Sequence, residues 1–155
     1  MNTNGAAKDG LTAGGGMLRD HQGFHKANFF CFYGDGTNNS AKCSAILDGL
    51  NLCNTLGYRD IFIHSDSTLA ISWCTKLAKP PWNILVWMRK ICDLSEQLNV
   101  SFLYIYREGN KAADHLASLG LKHKSDGAAN TITDKTPKPI LLGDCLNLPN
   151  LRFKP

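Results

Sequence analysis

Two aspartates follow the most apolar short segments of the chain, where carboxylates often do chemistry. Asp66 comes two residues after the run IFIH (61–64), and Asp114 lies in NKAADHLA (110–117), beyond VSFLYIY (100–106). A carboxylate at the carboxyl end of a buried strand can hold a divalent cation, but it is also a common helix cap. Taken alone, each aspartate is better explained as a capping or surface residue.

The hydrophobic pattern around these residues predicts alternating strands and helices. The predicted elements are a hairpin over 13–33, a helix from about 38 to 56, a strand over 61–64, two helices separated by Pro80-Pro81, a strand over 100–106 and a helix after Asn110, which would cap it. A helix between successive buried strands indicates parallel pairing through right-handed crossovers. The chain is therefore predicted to be an α/β protein.

The composition fits one domain followed by a tail. Of the 155 residues, 43% are hydrophobic and 19% are charged, which is enough apolar material for a core. No apolar run approaches the ~20 residues of a membrane-spanning helix, and the first ten residues contain no signal-peptide core, so we expect neither a membrane partner nor secretion. From residue 122 onward the sequence becomes polar and proline-rich. This change predicts a domain over 1–121 and a largely disordered tail over 122–155.

Charge and cysteine content indicate the type of binding partner and the cellular compartment. The formal net charge of +4 leans towards a polyanionic partner. Six cysteines are scattered without a CxxC pair, which argues against a zinc finger or a disulfide scaffold. A reducing compartment, the nucleus or the cytoplasm, is predicted.

Five short motifs together resemble the type 1 ribonuclease H fold, and most closely the reverse-transcriptase-like ribonuclease H domains of plant non-LTR retrotransposons. The motifs are NT-x-GA (2–6), AGGGMLRD-xx-G (13–23), TNN with a downstream GL (37–50), DS (66–67) and N-xx-AD-x-LA (110–117). Each motif is weak alone, but their order and spacing make the combination specific. The resemblance covers about residues 2–121.

This resemblance implies a fold and an activity. The fold would be a five-stranded mixed sheet, antiparallel over its first three strands, with helices on both faces. The activity would be hydrolysis of the RNA strand of an RNA/DNA hybrid, with nucleic acid (a hybrid or a duplex similar to double-stranded RNA) as the partner. In the family, four carboxylates (Asp-Glu-Asp-Asp) hold two Mg²⁺ or Mn²⁺ ions, which activate water and stabilise the leaving oxygen.

Half of this carboxylate set is substituted here. The family positions fall on Asn4, Lys42, Asp66 and Asp114, so two of the four acids are retained. These four side chains carry a formal charge of −1, whereas four carboxylates would carry −4. Asp66 and Asp114 alone would hold metal weakly, and we expect hydrolysis to be weak or lost.

Nucleic-acid binding can outlast catalysis. Thr37, Asn38 and Asn39 match the family segment that contacts the hybrid backbone and sugar hydroxyls, since short polar side chains can hydrogen-bond a 2′-OH. The same residues can instead form a turn that caps the following helix. The sequence does not choose between contact and capping.

The start of the chain suggests a shortened first strand. Only three residues precede Asn4, whereas the family strand begins several residues before its first acid. We expect a truncated first strand and marginal stability, unless another segment, such as 140–142 of the tail, fills the gap.

Three functions remain open from the sequence. The first is a nucleic-acid-binding domain whose hydrolytic centre has decayed. The second is a nuclease with altered metal preference, using Mn²⁺ through Asp66 and Asp114. The third is a non-catalytic interaction module that binds a partner protein through its tail.

Overall fold

The computed structural model describes residues 1–128, and the segment 140–142 lies outside this range. The regular elements in chain order are β1 (Asn2–Lys8), β2 (Leu11–Arg19), β3 (His25–Asp35), α1 (Asn38–Thr55), β4 (Asp60–Ser65), α2 (Thr68–Cys74), α3 (Leu85–Gln97), β5 (Asn99–Tyr104) and α4 (Lys111–His123). A short 3₁₀ turn precedes α3, and another precedes α4.

The strands form one five-stranded sheet in the order β3-β2-β1-β4-β5. β1, β2 and β3 pair antiparallel, whereas β4 pairs parallel with both β1 and β5. The predicted α/β class and the mixed sheet with an antiparallel half are confirmed. So is the hairpin, which is formed by β2 and β3.

The prediction of a truncated first strand is wrong. β1 runs over seven residues, Asn2–Lys8, and pairs with β2 along its whole length, from Asn2 opposite Met17 to Lys8 opposite Leu11. Most of the strand lies after Asn4, because the pairing with β2 continues from Gly5 to Lys8. Because β1 is not shortened, the reason for expecting marginal stability no longer holds.

Helices cover both faces of the sheet, and two neighbouring glycines let them approach closely. A Cβ at Gly14 would lie 2.9 Å from the Cβ of Ala45 in α1, and one at Gly15 would lie 2.4 Å from the backbone nitrogen of Ala117 in α4. Adjacent strand residues point to opposite faces, so α1 and α4 lie on opposite sides. The functional residues of both helices are thereby brought to the same central strands.

Apolar side chains fill both interfaces. The larger core lies between the sheet and α1–α3, and it includes the fully buried Ile46, Leu50, Ile63, Ile84 and Ile91. A smaller cluster of Met17, Ala112 and Leu116 packs α4 against the opposite face. Within residues 1–128 there is no helix with the length and apolar character needed to cross a bilayer.

Contacts with the sheet continue beyond α4. The backbone of Gly127 exchanges two hydrogen bonds of 2.8 Å with Phe30 of β3, and the Asp126 carboxylate accepts a hydrogen bond from the Phe32 amide. Ordered structure thus extends past residue 121, the predicted end of the domain. The rest of the predicted tail falls outside the described residues.

Candidate functional site

The four positions identified from the sequence lie together in one cleft of about 390 Å³. Asn4 lies on central strand β1, and Lys42 lies in the second turn of α1. Asp66 follows the carboxyl end of β4, and Asp114 lies in the first turn of α4. Residues far apart in the chain meet here because β1 and β4 are parallel neighbours and the two helices pack on opposite faces.

Lys42 and Asp66 form a buried ion pair in this cleft. The Lys42 Nζ lies 2.8 Å from Asp66 Oδ1, and their side chains are only 8% and 5% exposed. The second carboxylate oxygen, Oδ2, lies 3.5 Å from Nε of Arg107, whose side chain is 76% exposed. One buried carboxylate is therefore shared by an enclosed ammonium and an exposed guanidinium.

Asn4 and Asp114 form the second pair. The Asn4 side-chain amide donates a hydrogen bond of 2.9 Å to Asp114 Oδ1, and its own Oδ1 accepts from the Gly5 amide at 2.9 Å. Asn4 is buried, whereas Asp114 is exposed to solvent. The Asn4 amide thus provides a hydrogen-bond donor at a position where the resemblance predicts a metal-binding oxygen.

These side chains do not fit a two-metal centre. A divalent cation needs oxygen ligands that are free to bind it, but Asp66 is paired with Lys42 and Arg107, and Asp114 is hydrogen-bonded by Asn4. Nowhere in residues 1–128 do three or more His, Cys, Asp or Glu side chains cluster as metal ligands would. Other acids do not compensate, because the Asp48 carboxylate instead accepts a 2.7 Å hydrogen bond from the Tyr33 hydroxyl.

The TNN segment divides into a capping residue and a cleft residue. The Thr37 hydroxyl accepts a hydrogen bond from the Ser40 amide, and the Ser40 hydroxyl accepts one from the Thr37 amide, which completes a capping box for α1. Asn38 is exposed and lines the cleft, and Asn39 is partly buried beside it. Capping therefore engages Thr37, while Asn38 lines the cleft in which a ligand would lie.

Asn110 does not cap α4 with its side chain, contrary to the prediction. It is 1% exposed, and its side-chain amide donates a 2.9 Å hydrogen bond to the backbone oxygen of Thr3 in β1. This bond joins the start of α4 to the central strand. It thereby positions the turn that carries Asp114 next to Asn4.

Arg107 is the site residue that sequence reasoning missed. It lies in the 3₁₀ turn between β5 and α4 and reaches across to Asp66 at the end of β4. The available signal was an arginine shortly after the carboxyl end of β5, the strand that pairs in parallel with β4, which Asp66 follows.

A family model described as reverse transcriptase-like matches residues 2–120. The chain belongs to this reverse transcriptase-like family. No curated protein matches the sequence at a significant level.

Solved structures similar to this reverse transcriptase-like chain show the ribonuclease H fold. RNase H1 from Halobacterium salinarum NRC-1 matches with a TM-score of 0.76 and 24% identity, covering 79% of this chain and 96% of that one. LC11-RNase H1 in complex with an RNA/DNA hybrid matches with a TM-score of 0.75 and 21% identity, covering 79% and 96%. The N-terminal RNase H domain of a Mycobacterium tuberculosis protein matches with a TM-score of 0.74 and 21% identity, covering 78% and 91%.

Proposed function

We propose that this protein is a nucleic-acid-binding domain of the ribonuclease H type that binds RNA/DNA hybrids or duplexes similar to double-stranded RNA and has lost most or all hydrolytic activity. The observation that carries this proposal is the buried Lys42–Asp66 ion pair in the cleft. We also propose an origin in a plant non-LTR retrotransposon and a location in the nucleus or cytoplasm. The motifs support the origin, and the free state of the cysteines within residues 1–128 supports the location.

Electrostatics explain why hydrolysis would fail. An ammonium ~5 Å from a Mg²⁺ ion is repelled by roughly 6–7 kcal/mol at an effective dielectric constant near 20. Lys42 cannot easily turn away, since its side chain is 8% exposed and its Nζ is held by Asp66. A metal would therefore have to displace this ammonium and still lack two of the four family ligands.

Binding requires less of the site than hydrolysis does. The exposed Arg107 and Asn38 both line the cleft, where they can meet a phosphate or a sugar hydroxyl. The net charge of +4 favours a polyanion. The hybrid bound to LC11-RNase H1 supports the same class of ligand for a chain of this fold.

A cleavage assay tests the loss of hydrolysis. A fluorescently labelled RNA/DNA hybrid is incubated with the protein in Mg²⁺ and separately in Mn²⁺, and we expect no turnover above the level of Asp66→Asn. Robust wild-type cleavage that Asp66→Asn abolishes would contradict the proposal and favour the Mn²⁺-dependent nuclease instead. The double variant Asn4→Asp/Lys42→Glu, which rebuilds the four acids, should gain metal-dependent cleavage. Adding Asp66→Asn to it should remove that gain.

A second candidate function is a non-catalytic protein-interaction module. Leu77 and Trp82, in the connection between α2 and α3, are 84% and 85% exposed, and such side chains are available to contact a partner protein. Hybrid binding separates the two candidates. A dissociation constant that rises steeply with salt supports nucleic-acid binding, whereas no measurable hybrid binding at low salt leaves the interaction module.

A further inference from the structure

Two cations converge on one buried carboxylate in the cleft. Asp66 Oδ1 accepts from the Lys42 ammonium at 2.8 Å, and Asp66 Oδ2 faces Nε of Arg107 at 3.5 Å. We call Lys42, Asp66 and Arg107 the cationic triad. Its formal charge is +1, so one singly charged anion placed against it would be neutralised.

The triad offers hydrogen-bond donors as well as charge. Asp66 occupies one hydrogen-bond direction of the Lys42 ammonium, which has three N–H groups. The Arg107 guanidinium faces Asp66 through Nε, and its side chain lines the cleft and is 76% exposed, so it is accessible to a ligand there. A planar pair of N–H donors suits two oxygens of a phosphate.

The charge of the whole site points in the same direction. Four carboxylates and two divalent cations sum to zero, and Asn4, Lys42, Asp66, Asp114 and Arg107 together also sum to zero. With Arg107 counted beside the four substituted positions, the site is formally neutral without a metal ion. Here the positive groups are Lys42 and Arg107.

We infer that the cationic triad binds one backbone phosphodiester of the nucleic acid directly, without a divalent cation, and that Arg107 makes the outer contact. This inference rests on the proposed nucleic-acid-binding function. Asp66 is a positioning residue in this arrangement, because it holds both cations but repels the phosphate itself. The Asn38 amide, which lines the same cleft, lies beside the triad.

The test measures hybrid affinity against salt for the wild type, Arg107→Gln and a matched control, Arg59→Gln. Arg59 precedes β4 and Asp66 follows it, so the control removes the same charge about 20 Å away, at the other end of the strand. Arg107→Gln should weaken binding about fivefold to tenfold near 0.1 M salt and should reduce the salt slope by about one phosphate contact. Arg59→Gln should leave the slope unchanged. EDTA should not weaken wild-type binding.

Single methylphosphonate substitutions in the hybrid then locate the contact. Each one replaces a charged backbone phosphate by a neutral group, and in the wild type one position should cost about fivefold. In Arg107→Gln the same methylphosphonate should cost clearly less affinity than in the wild type, since one of the two cationic contacts to that phosphate is already gone. Lys42→Gln should show the same coupling, with a thermal melt to verify that the variant is folded.

The outcomes separate this inference from the function on which it rests. If the wild type binds hybrid but Arg107→Gln matches Arg59→Gln in slope and affinity, the direct phosphate contact is overturned and nucleic-acid binding stands. A tenfold weakening of wild-type binding in EDTA overturns the metal-independent contact in the same way. If the wild type does not bind hybrid at low salt, the proposed function fails and the inference fails with it.

Discussion

Lys42 Nζ lies 2.8 Å from Asp66 Oδ1 across the central cleft, and both side chains are almost completely shielded from solvent. Each charge is tolerated inside the protein because the other is present, since an unpaired buried ion is strongly disfavoured. Lys42, which stands where the resemblance implies a metal-binding acid, therefore also stabilises Asp66. Stability and the proposed loss of catalysis are linked through this pair.

The stability costs of removing Lys42 and Asp66 should not be additive. We expect Lys42→Met to lower the free energy of unfolding by about 3 kcal/mol, because Asp66 keeps only its longer contact with Arg107. The double variant Lys42→Met/Asp66→Asn should lose clearly less than the sum of the two single variants. Urea denaturation of the four proteins measures these differences. Additive losses would show that the two side chains are not energetically coupled.

Rebuilding the acids should make stability depend on metal. In Asn4→Asp/Lys42→Glu, four carboxylates share the cleft, and their repulsion should lower the Tm when no divalent cation is present. Binding of Mg²⁺ to the folded state should then raise the Tm of this variant by ~3–8 °C at millimolar concentrations. The wild-type Tm should not respond to Mg²⁺ beyond the shift that an equal ionic strength of NaCl produces. Equal responses of wild type and variant would contradict the assignment of these positions.

The sequence was sufficient to predict that distant residues meet in one site, because the motifs indicated both the family and the order of its elements. Asp66 and Asp114 follow recognisable apolar strands, and the positions of Asn4 and Lys42 follow from the motif spacing. Side-chain partners were harder to predict. The Asn110 side chain resembles a helix cap in sequence, yet it bonds to the Thr3 carbonyl because a buried backbone acceptor in the central strand requires a donor.

The length of β1 and the role of Arg107 were not predicted for a common physical reason: strand pairing and ion pairing depend on residues that are distant in the sequence. β1 looked truncated because its strand was counted backwards from Asn4, whereas the ladder with β2 extends forwards to Lys8. Arg107 looked like an ordinary loop residue because its partner, Asp66, is 41 positions away in sequence and adjacent only through the parallel pairing of β4 and β5.

Close packing of α1 on β1 should make Gly5 intolerant of any side chain. A Cβ at this position would lie 2.3 Å from the Lys42 backbone nitrogen and 2.4 Å from the Ala41 carbonyl carbon, and backbone atoms cannot move aside cheaply. We expect Gly5→Ala to destabilise the fold by about 3 kcal/mol, at the high end for overpacking. Gly109→Ala is the matched control, because nothing lies within 4 Å of its Cβ position, and it should change stability by less than about 0.5 kcal/mol. Chemical denaturation compares the two, and equal effects would refute the packing argument.

The Asn110–Thr3 hydrogen bond predicts a large loss from a small change. Asn110→Ala leaves the buried Thr3 carbonyl without its side-chain donor, which should cost about 1–3 kcal/mol. Asn110→Asp should cost more, because a carboxylate oxygen would face the carbonyl oxygen. Hydrogen exchange of the amides in β1 provides a local readout besides the global melt. Asn51→Ala, at an exposed position in α1, is a control that should leave both measurements near wild type.

Stability should fall as the pH is lowered towards 4 because of His64. Burial, followed by the positive N-terminal amine and Arg19, lowers the pKa of this histidine to about 4. In the unfolded chain the pKa of His64 is near 6.5, so the unfolded state binds a proton at this imidazole more readily than the folded state does. The contribution of neutral His64 to stability is therefore complete above about pH 6.5 and is lost as the pH falls towards 4. After allowance for solvent screening, the loss should be about 1–2 kcal/mol.

The comparison with His64→Asn isolates this contribution. The N-terminal amine, whose pKa is lowered by burial to about 6, also protonates as the pH falls, but it does so in both proteins. The free energy of unfolding of the wild type should thus decrease more steeply than that of His64→Asn between pH 6.5 and 4, with parallel curves above pH 7. His123→Asn, at an exposed position at the end of α4, controls for the loss of a histidine. If all three proteins show the same pH profile, His64 is not held neutral by the fold.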